Sequence, residues 1–151
     1  MSESKDDSIH RKNGVELFNK TWDLIDKKDR NHSDDVNMIH SAHASRYHCG
    51  IAGEPINWAR GEWQISRVYS LLSRGEPALF HAHETLHLCN KHGIQDFDLS
   101  FAYEALARAY SVISNFGKAK EYYEMAMESS EKIAEKGNRD YLQCELKTIK
   151  L

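Results

Sequence analysis

Residues 83 to 87 read HETLH, which matches the H-E-x-x-H pattern of zinc peptidases. On a helix, His83 and His87 lie one turn apart on the same face, where they could bind Zn²⁺ with Glu84 as general base. A catalytic zinc needs a third protein ligand, and residues 88 to 92 lack the usual H-x-x-G-x-x-H continuation. We therefore predict no metal and no catalysis. A metal-binding protein or a zinc-dependent hydrolase using this segment stays open as the alternative.

Three further histidines could form a second cluster. His40 and His43 are three residues apart in one predicted helix, and His81 lies in another, where a neighbouring hairpin would pack. Such a cluster could bind a metal or change its charge near pH 6. The favoured alternative is that each histidine is bonded to a carbonyl or a carboxylate at the helix surface. No phosphate loop, dinucleotide fingerprint or nucleophile elbow is present, so we predict no cofactor.

The composition is that of an ordinary globular domain. The chain has 151 residues, which suffices for one domain with a real core over residues 1–151. A formal charge of −3 argues against binding nucleic acid or an anionic membrane. No apolar run approaches the roughly 18 to 20 residues of a membrane span, and the N-terminus lacks the apolar stretch of a signal peptide. Three cysteines are too few for a disulfide framework, so we expect a cytoplasmic protein with reduced thiols.

Apolar residues recur every three or four positions, which predicts amphipathic helices and an all-α fold. We expect six or seven helices, with Pro55 and Pro77 each near a helix start, and Gly50 and Gly53 ending the second helix. Because the connections are short, neighbouring helices should lie antiparallel as hairpins. The predicted elements are a disordered segment over 1–7, hairpins over about 8–49, 54–92 and 97–136, and a short helix over about 139–149.

A shift of 41 residues aligns two parts of the chain. The segment ISRVYS at 65–70 lies over LARAYS at 106–111, and Ala78 lies over Ala119. Each copy is a helix, a turn and a second helix, which indicates an internal repeat. The alternative is a non-repetitive helical bundle, because stripes of alanine and aromatic residues occur in any helical core.

The second copy resembles the tetratricopeptide repeat, whose pattern of large, small and aromatic residues it matches in type at seven positions. They are Tyr103, Leu106, Ala107, Tyr110, Ala119, Tyr123 and Ala126. The first copy fits more loosely, since Ala82 stands where an aromatic residue is expected. The resemblance implies antiparallel hairpins stacked as a right-handed superhelix, in which Tyr69 and Tyr110 occupy equivalent buried positions.

The concave side of tetratricopeptide-like proteins usually holds a peptide or a partner helix. Carried over to this sequence, the groove positions include Arg60, Trp63, Arg67, Phe101, Glu104 and Arg108. Arg67 and Arg108 share one repeat position, and their guanidinium groups could bind an acidic segment or a C-terminal carboxylate. The alternative is that these arginines pair with Glu62, Glu104 or Asp98 and add only surface charge.

The function expected from these features is binding of a protein or peptide, as an adaptor or scaffold without catalysis. A different hypothesis is a structural module whose apolar stack ends pair as a homodimer. We further expect that removing the guanidinium groups of Arg67 and Arg108 weakens the binding of an acidic partner and hardly affects folding. That expectation assumes that both arginines are exposed, because exposed arginines contribute little to stability.

Overall fold

The computed structural model describes residues 4–151, and 82% of them are helical. The helices are α1 (Lys5–Asp26), α2 (His32–Ala52), α3 (Pro55–Leu71), α4 (Gly75–His92), α5 (Asp96–Val112), α6 (Phe116–Ser130) and α7 (Lys136–Leu146). No strand occurs between residues 4 and 151, which confirms the all-α prediction. Within the same range, no helix combines the length and the apolar character needed to span a bilayer.

The helices pack in consecutive pairs. The most extensive contacts join α1 to α2, α3 to α4 and α5 to α6, and weaker ones join α2 to α3 and α4 to α5. The first helices of the last two pairs, α3 and α5, also touch each other, and α7 lies against α5 and α6. This arrangement is a stack of three helical hairpins with one extra helix at its C-terminal end.

Helix α2 extends beyond the predicted end of the first hairpin at about residue 49. Asn31 caps its N-terminus by accepting a hydrogen bond from the backbone N–H of Asp34, whose side chain accepts one in return from Asn31. The helix continues through Gly50, because one glycine in an exposed helix costs only about 1 kcal/mol. It ends at Gly53, whose N–H closes the last turn on the carbonyl of Cys49. Gly50 therefore does not end the helix.

The two ends of the chain also differ from the prediction. Ser4 caps α1, so Lys5–Asp7, expected to be disordered, form its first turn, while residues 1–3 lie outside the described part. The acidic residues of that turn favour the positive end of the helix dipole. Helix α6 stops at Ser130 instead of near Gly137, because the chain turns there and buries Ile133. Helix α7 consequently starts three residues before the expected position.

The turns after α3 and α5 have the same backbone geometry, 41 residues apart. Ser73 has φ of 58° and Ser114 has φ of 60°, both in the left-handed region. In the first turn the N–H of Arg74 donates to the carbonyl of Tyr69 at 2.8 Å. In the second, the N–H of Asn115 donates to the carbonyl of Tyr110 at 2.9 Å.

The two tyrosines of the aligned segments have corresponding surroundings. Tyr69 stacks on His81 with ring centroids 6.0 Å apart, and Tyr110 stacks on Tyr122 at 5.7 Å. His81 and Tyr122 are themselves 41 residues apart. Both tyrosines are half-buried, whereas the resemblance predicted that they would be buried. The reason is that each phenol group extends outward to a histidine on the preceding hairpin.

Candidate functional site: an aromatic pocket between hairpins

Aromatic side chains from four helices line a cavity of about 120 Å³ that is open to solvent. We refer to it as the inner pocket. Its rings come from the first helix of every hairpin and from α7: Phe18, Trp22, Trp63, Phe97, Phe101 and Tyr141. The rest of the lining consists of Ala59, Arg60, Thr85 and Asp98. The wall is therefore almost entirely apolar.

The rings contact one another in tilted and edge-on arrangements. The centroids of Trp22 and Trp63 are 5.6 Å apart, and the edge of Trp63 meets Phe101 at 5.5 Å with an interplanar angle of 88°. Phe97 and Tyr141 extend the wall around Phe101, at 4.7 and 5.7 Å. Such offset pairs are favoured by the ring quadrupoles, so the pocket is preformed by its own wall contacts.

An ion pair between α3 and α5 lies in the lining of the pocket. Arg60 Nε donates to Asp98 Oδ1 at 2.8 Å, and Arg60 Nη2 donates to Asp98 Oδ2 at 3.0 Å. This two-point geometry is the strongest that arginine and carboxylate can form. The hydrogen bond to Asp98 raises the pKa of the Arg60 guanidinium above its ordinary value. Among the described residues of the lining, the single carboxylate is thus already paired with an arginine.

A second group of charges lies beside the pocket, and we call it the ion cluster: Arg67, Glu104, Arg108 and Glu145. The side chain of Glu104 is 1% exposed, with Arg108 Nη2 at 2.6 Å and Arg67 Nη1 at 3.6 Å from its Oε1 atom. Arg67 also donates to the Glu145 carboxylate of α7 at 2.8 Å. The indole N–H of Trp63 donates to Glu104 Oε2 at 3.3 Å, which connects the cluster to the pocket wall.

The structure brings the six predicted groove residues into two adjoining places. Trp63 and Phe101 form the pocket wall with Arg60 beside them, whereas the other three belong to the ion cluster. The arginines pair with Asp98 and Glu104, as expected under the alternative in which they form ion pairs within the protein. Arg67 and Arg108 are 18% and 14% exposed, so the expectation that both are exposed arginines is wrong. Both are covered because α7 packs over α5.

Several site residues were missed in the sequence analysis. Glu145 lies in α7, outside the repeat pattern, and no spacing in the sequence connects it to Arg67 or Arg108. Phe97 and Phe101 are four residues apart, a spacing that places both rings on one face of α5. Phe18 and Trp22 have the same spacing in α1. These two pairs were the available signal for an aromatic surface on the first helices.

The HETLH segment lies on the outer side of α4. His83 and His87 are exposed, and His83 Nε2 lies 3.4 Å from the hydroxyl of Tyr110. In the part of the chain that the structure describes, no group of three or more His, Cys, Asp or Glu side chains is arranged to hold a metal ion. Glu104, on the next helix, is buried in the ion cluster.

The other histidines contact a carboxylate and a hydroxyl. His81 Nδ1 lies 2.6 Å from Glu62 Oε2, whose other oxygen accepts from Arg46 Nε at 2.9 Å. His43 Nε2 lies 2.8 Å from the hydroxyl of Tyr69, and its ring is 5.4 Å from that of His81. Partial burial lowers the pKa of His43, the charge of His81 lowers it further, and Glu62 opposes both. The three elements α2, α3 and α4 meet at this network.

The thiols of Cys49 and Cys89 are not activated. All three cysteines are free, and Cys89 is fully buried, which raises its pKa to about 11. Burial also raises the pKa of Cys49. A reactive cysteine needs a lowered pKa, so these two side chains contribute packing.

Two polar side chains of the inner pocket have partners within the protein. Asp98 is bound to Arg60, and the hydroxyl of Thr85 donates to the carbonyl of His81 at 2.9 Å. A scan against protein-family models, a search of curated proteins and a search of solved structures found no match to this chain.

Proposed function

We propose that this protein is a tetratricopeptide-like adaptor or scaffold that binds a protein or peptide on the surface formed by α1, α3 and α5. The observation that carries the proposal is the inner pocket, to which the first helix of every hairpin contributes aromatic rings. Rings that served only the core would be fully buried, yet Trp22, Trp63 and Phe97 are partly exposed. Clustered apolar groups left open to solvent are typical of binding sites.

The repeat character of the chain supports the same proposal. The matching residues of the two aligned segments and the matching turns at Ser73 and Ser114 are those expected of two related hairpins. Stacked hairpins present their first helices side by side, and such surfaces are well suited to an extended partner.

The strength of binding can be bounded from the size of the pocket. One apolar side chain that becomes fully buried contributes about 1.5–3 kcal/mol. That amount alone does not give a stable complex, since association has a large entropic cost. The partner must therefore make further contacts along α1, α3 and α5, which favours a peptide or a protein segment over a small molecule.

Selection of peptides from a random phage-displayed library tests this function. Tyr141 is 45% exposed and forms part of the pocket wall, so Tyr141→Ala removes one wall with little effect on the core. Selected peptides should bind Tyr141→Ala about tenfold more weakly than wild type, a loss of about 1.4 kcal/mol. Thermal melts of each variant verify that it is folded.

The matched control is Tyr47→Ala, which removes a tyrosine that is 67% exposed on α2, away from the pocket. Peptides should bind this variant as they bind wild type. Failure to enrich any peptide family would contradict the proposed function, and equal binding to Tyr141→Ala would move the site away from the inner pocket.

A further inference from the structure

We infer that the inner pocket binds an uncharged, apolar side chain of the partner, and not the acidic group that the arginine spacing predicts. This inference rests on the proposed function and specifies its ligand chemistry. It follows from three properties of the site, namely its charge balance, its hydrogen-bonding capacity and its volume.

The charges around the pocket are already matched to one another. Arg60 forms both of its short contacts with Asp98, and in the ion cluster Arg67 and Arg108 face Glu104 and Glu145. An acidic ligand at Arg60 would compete with its two contacts to Asp98, and one at Arg108 would compete with its contact to Glu104. That carboxylate is 1% exposed, and breaking a buried pair is strongly unfavourable. A cationic ligand would find no unpaired carboxylate among the described residues of the lining, because Asp98 is already bound to Arg60.

The lining offers few hydrogen bonds to a polar ligand group. Asp98 and Thr85 are bonded within the protein, and Arg60 uses its Nε and Nη2 groups for Asp98. The polar groups left on the rings are the indole N–H of Trp22 and the hydroxyl of Tyr141. The indole N–H of Trp63 donates to Glu104. A polar group placed against the ring faces would lose its water without replacement, which is costly. An apolar group has no such cost.

The volume of the pocket fits one such group. A buried apolar cavity of roughly 150 Å³ in another protein binds benzene, and the inner pocket measures about 120 Å³. A branched aliphatic side chain or a single ring is therefore the appropriate size. The partner should present one leucine-, isoleucine- or phenylalanine-like anchor to the pocket.

Three small probes of similar shape and different charge test the inference. Neopentyl alcohol is neutral, pivalate is an anion and tetramethylammonium is a cation, and each carries a centre bearing three or four methyl groups. Binding is followed by NMR through the indole N–H signals of ¹⁵N-labelled wild-type protein. Trp22 and Trp63 lie in the pocket wall, whereas Trp58 donates to the carbonyl of Cys49 at 2.8 Å and serves as an internal reference.

We expect neopentyl alcohol to shift the Trp22 and Trp63 signals in a saturable manner and to leave that of Trp58 in place. Pivalate and tetramethylammonium should bind at least fivefold more weakly. Tyr141→Ala should weaken the binding of the neutral probe, and Tyr47→Ala should not. Stronger binding of either ion, or no saturable shift with the alcohol, would overturn the inference.

The two proposals fail in different ways. Peptides that bind through the pocket with a charged anchor residue would preserve the proposed function and overturn the apolar specificity. A saturable response to neopentyl alcohol without any selected peptide family would preserve the apolar specificity and contradict the proposed function.

Discussion

At the scale of single residues, burial determines whether an arginine contributes to stability or only to surface charge. Arg108 lies on a predicted groove face and would add only surface charge if it were exposed. In the structure its Nη2 group donates to the carbonyl of Glu145 at 3.0 Å and to the hydroxyl of Thr148 at 2.9 Å. It also neutralises Glu104, a carboxylate with almost no contact with water. Its main contribution is therefore to stability.

Arg108→Ala should lower the free energy of unfolding by about 2–3 kcal/mol. The reason is that Glu104 loses its nearest cation, while the more distant Arg67 limits the damage. Urea denaturation measures the change, with Lys120→Ala as the control, because Lys120 is exposed on α6. The control should stay within about 0.5 kcal/mol of wild type. Unchanged stability of Arg108→Ala would mean that the ion cluster is not structurally important.

At the scale of elements, the ends of helices carry local backbone strain. The turns after α3 and α5 hold Ser73 and Ser114 at positive φ, where a side chain is disfavoured. The turn after α4 has Gly93 at φ of 64°, and glycine adopts this conformation without steric cost. The three turns thus share one backbone conformation with a positive φ. In two of them the residue at that position is serine, for which the conformation is unfavourable.

Ser114→Gly should raise the free energy of unfolding by about 0.5–1 kcal/mol, because it removes the strain at positive φ. Gly93→Ala should lower it by about 1 kcal/mol, since a Cβ atom there meets no neighbour within 4 Å and only the backbone conformation opposes it. Ser114→Ala keeps the Cβ atom and should change little. Calorimetric melting compares the three. A lower melting temperature for Ser114→Gly would show that the added freedom of the unfolded chain outweighs the strain.

At the scale of the whole molecule, the polar network of α2, α3 and α4 joins the first hairpin to the second. Arg46 from α2 and His81 from α4 both contact Glu62 of α3. Burial raises the pKa of Glu62, but the hydrogen bond and charge of His81 and the charge of Arg46 outweigh it, so the pKa lies below its ordinary value. The contact between these hairpins is therefore sensitive to acid.

Stability should fall in two ranges as the pH decreases. The pKa of His43, which faces His40, Glu62, Tyr69 and His81, is lower than 6.5, so below pH 6.5 the unfolded chain binds more protons than the folded one. The loss between pH 7.5 and 5.5 should be small, because solvent screens the exposed His43 ring. Glu62 stabilises the fold above its ordinary pKa of 4.5, and that contribution is lost as the pH falls below 4.5.

Urea denaturation at pH 7.5, 5.5 and 4.0 measures both ranges. His43→Gln should reduce the change between pH 7.5 and 5.5, whereas His87→Gln, at an exposed position on α4, should leave it as in wild type. An NMR titration in which the His43 ring titrates above pH 6.5 would contradict the expected direction.

The amino-acid sequence alone was sufficient to determine the helices and their pairing. Apolar spacing predicts an all-α chain of hairpins, and Pro55 lies in the first turn of α3 as expected. These features depend on interactions within about four residues and on short connections, which the order of residue types largely determines. Helix ends were less predictable: α2 continues through Gly50, because neighbouring turns can sustain a single glycine.

The site required the packed fold. Trp22 and Trp63 meet across two hairpins, and the hydrogen bond between Arg67 and Glu145 joins residues 78 positions apart. Residue type marked Arg67 and Arg108 as groove cations, but it could not show that α7 supplies the anion that faces them. Which long side chains meet depends on how the hairpins and the last helix pack, and no local spacing in the sequence encodes that geometry.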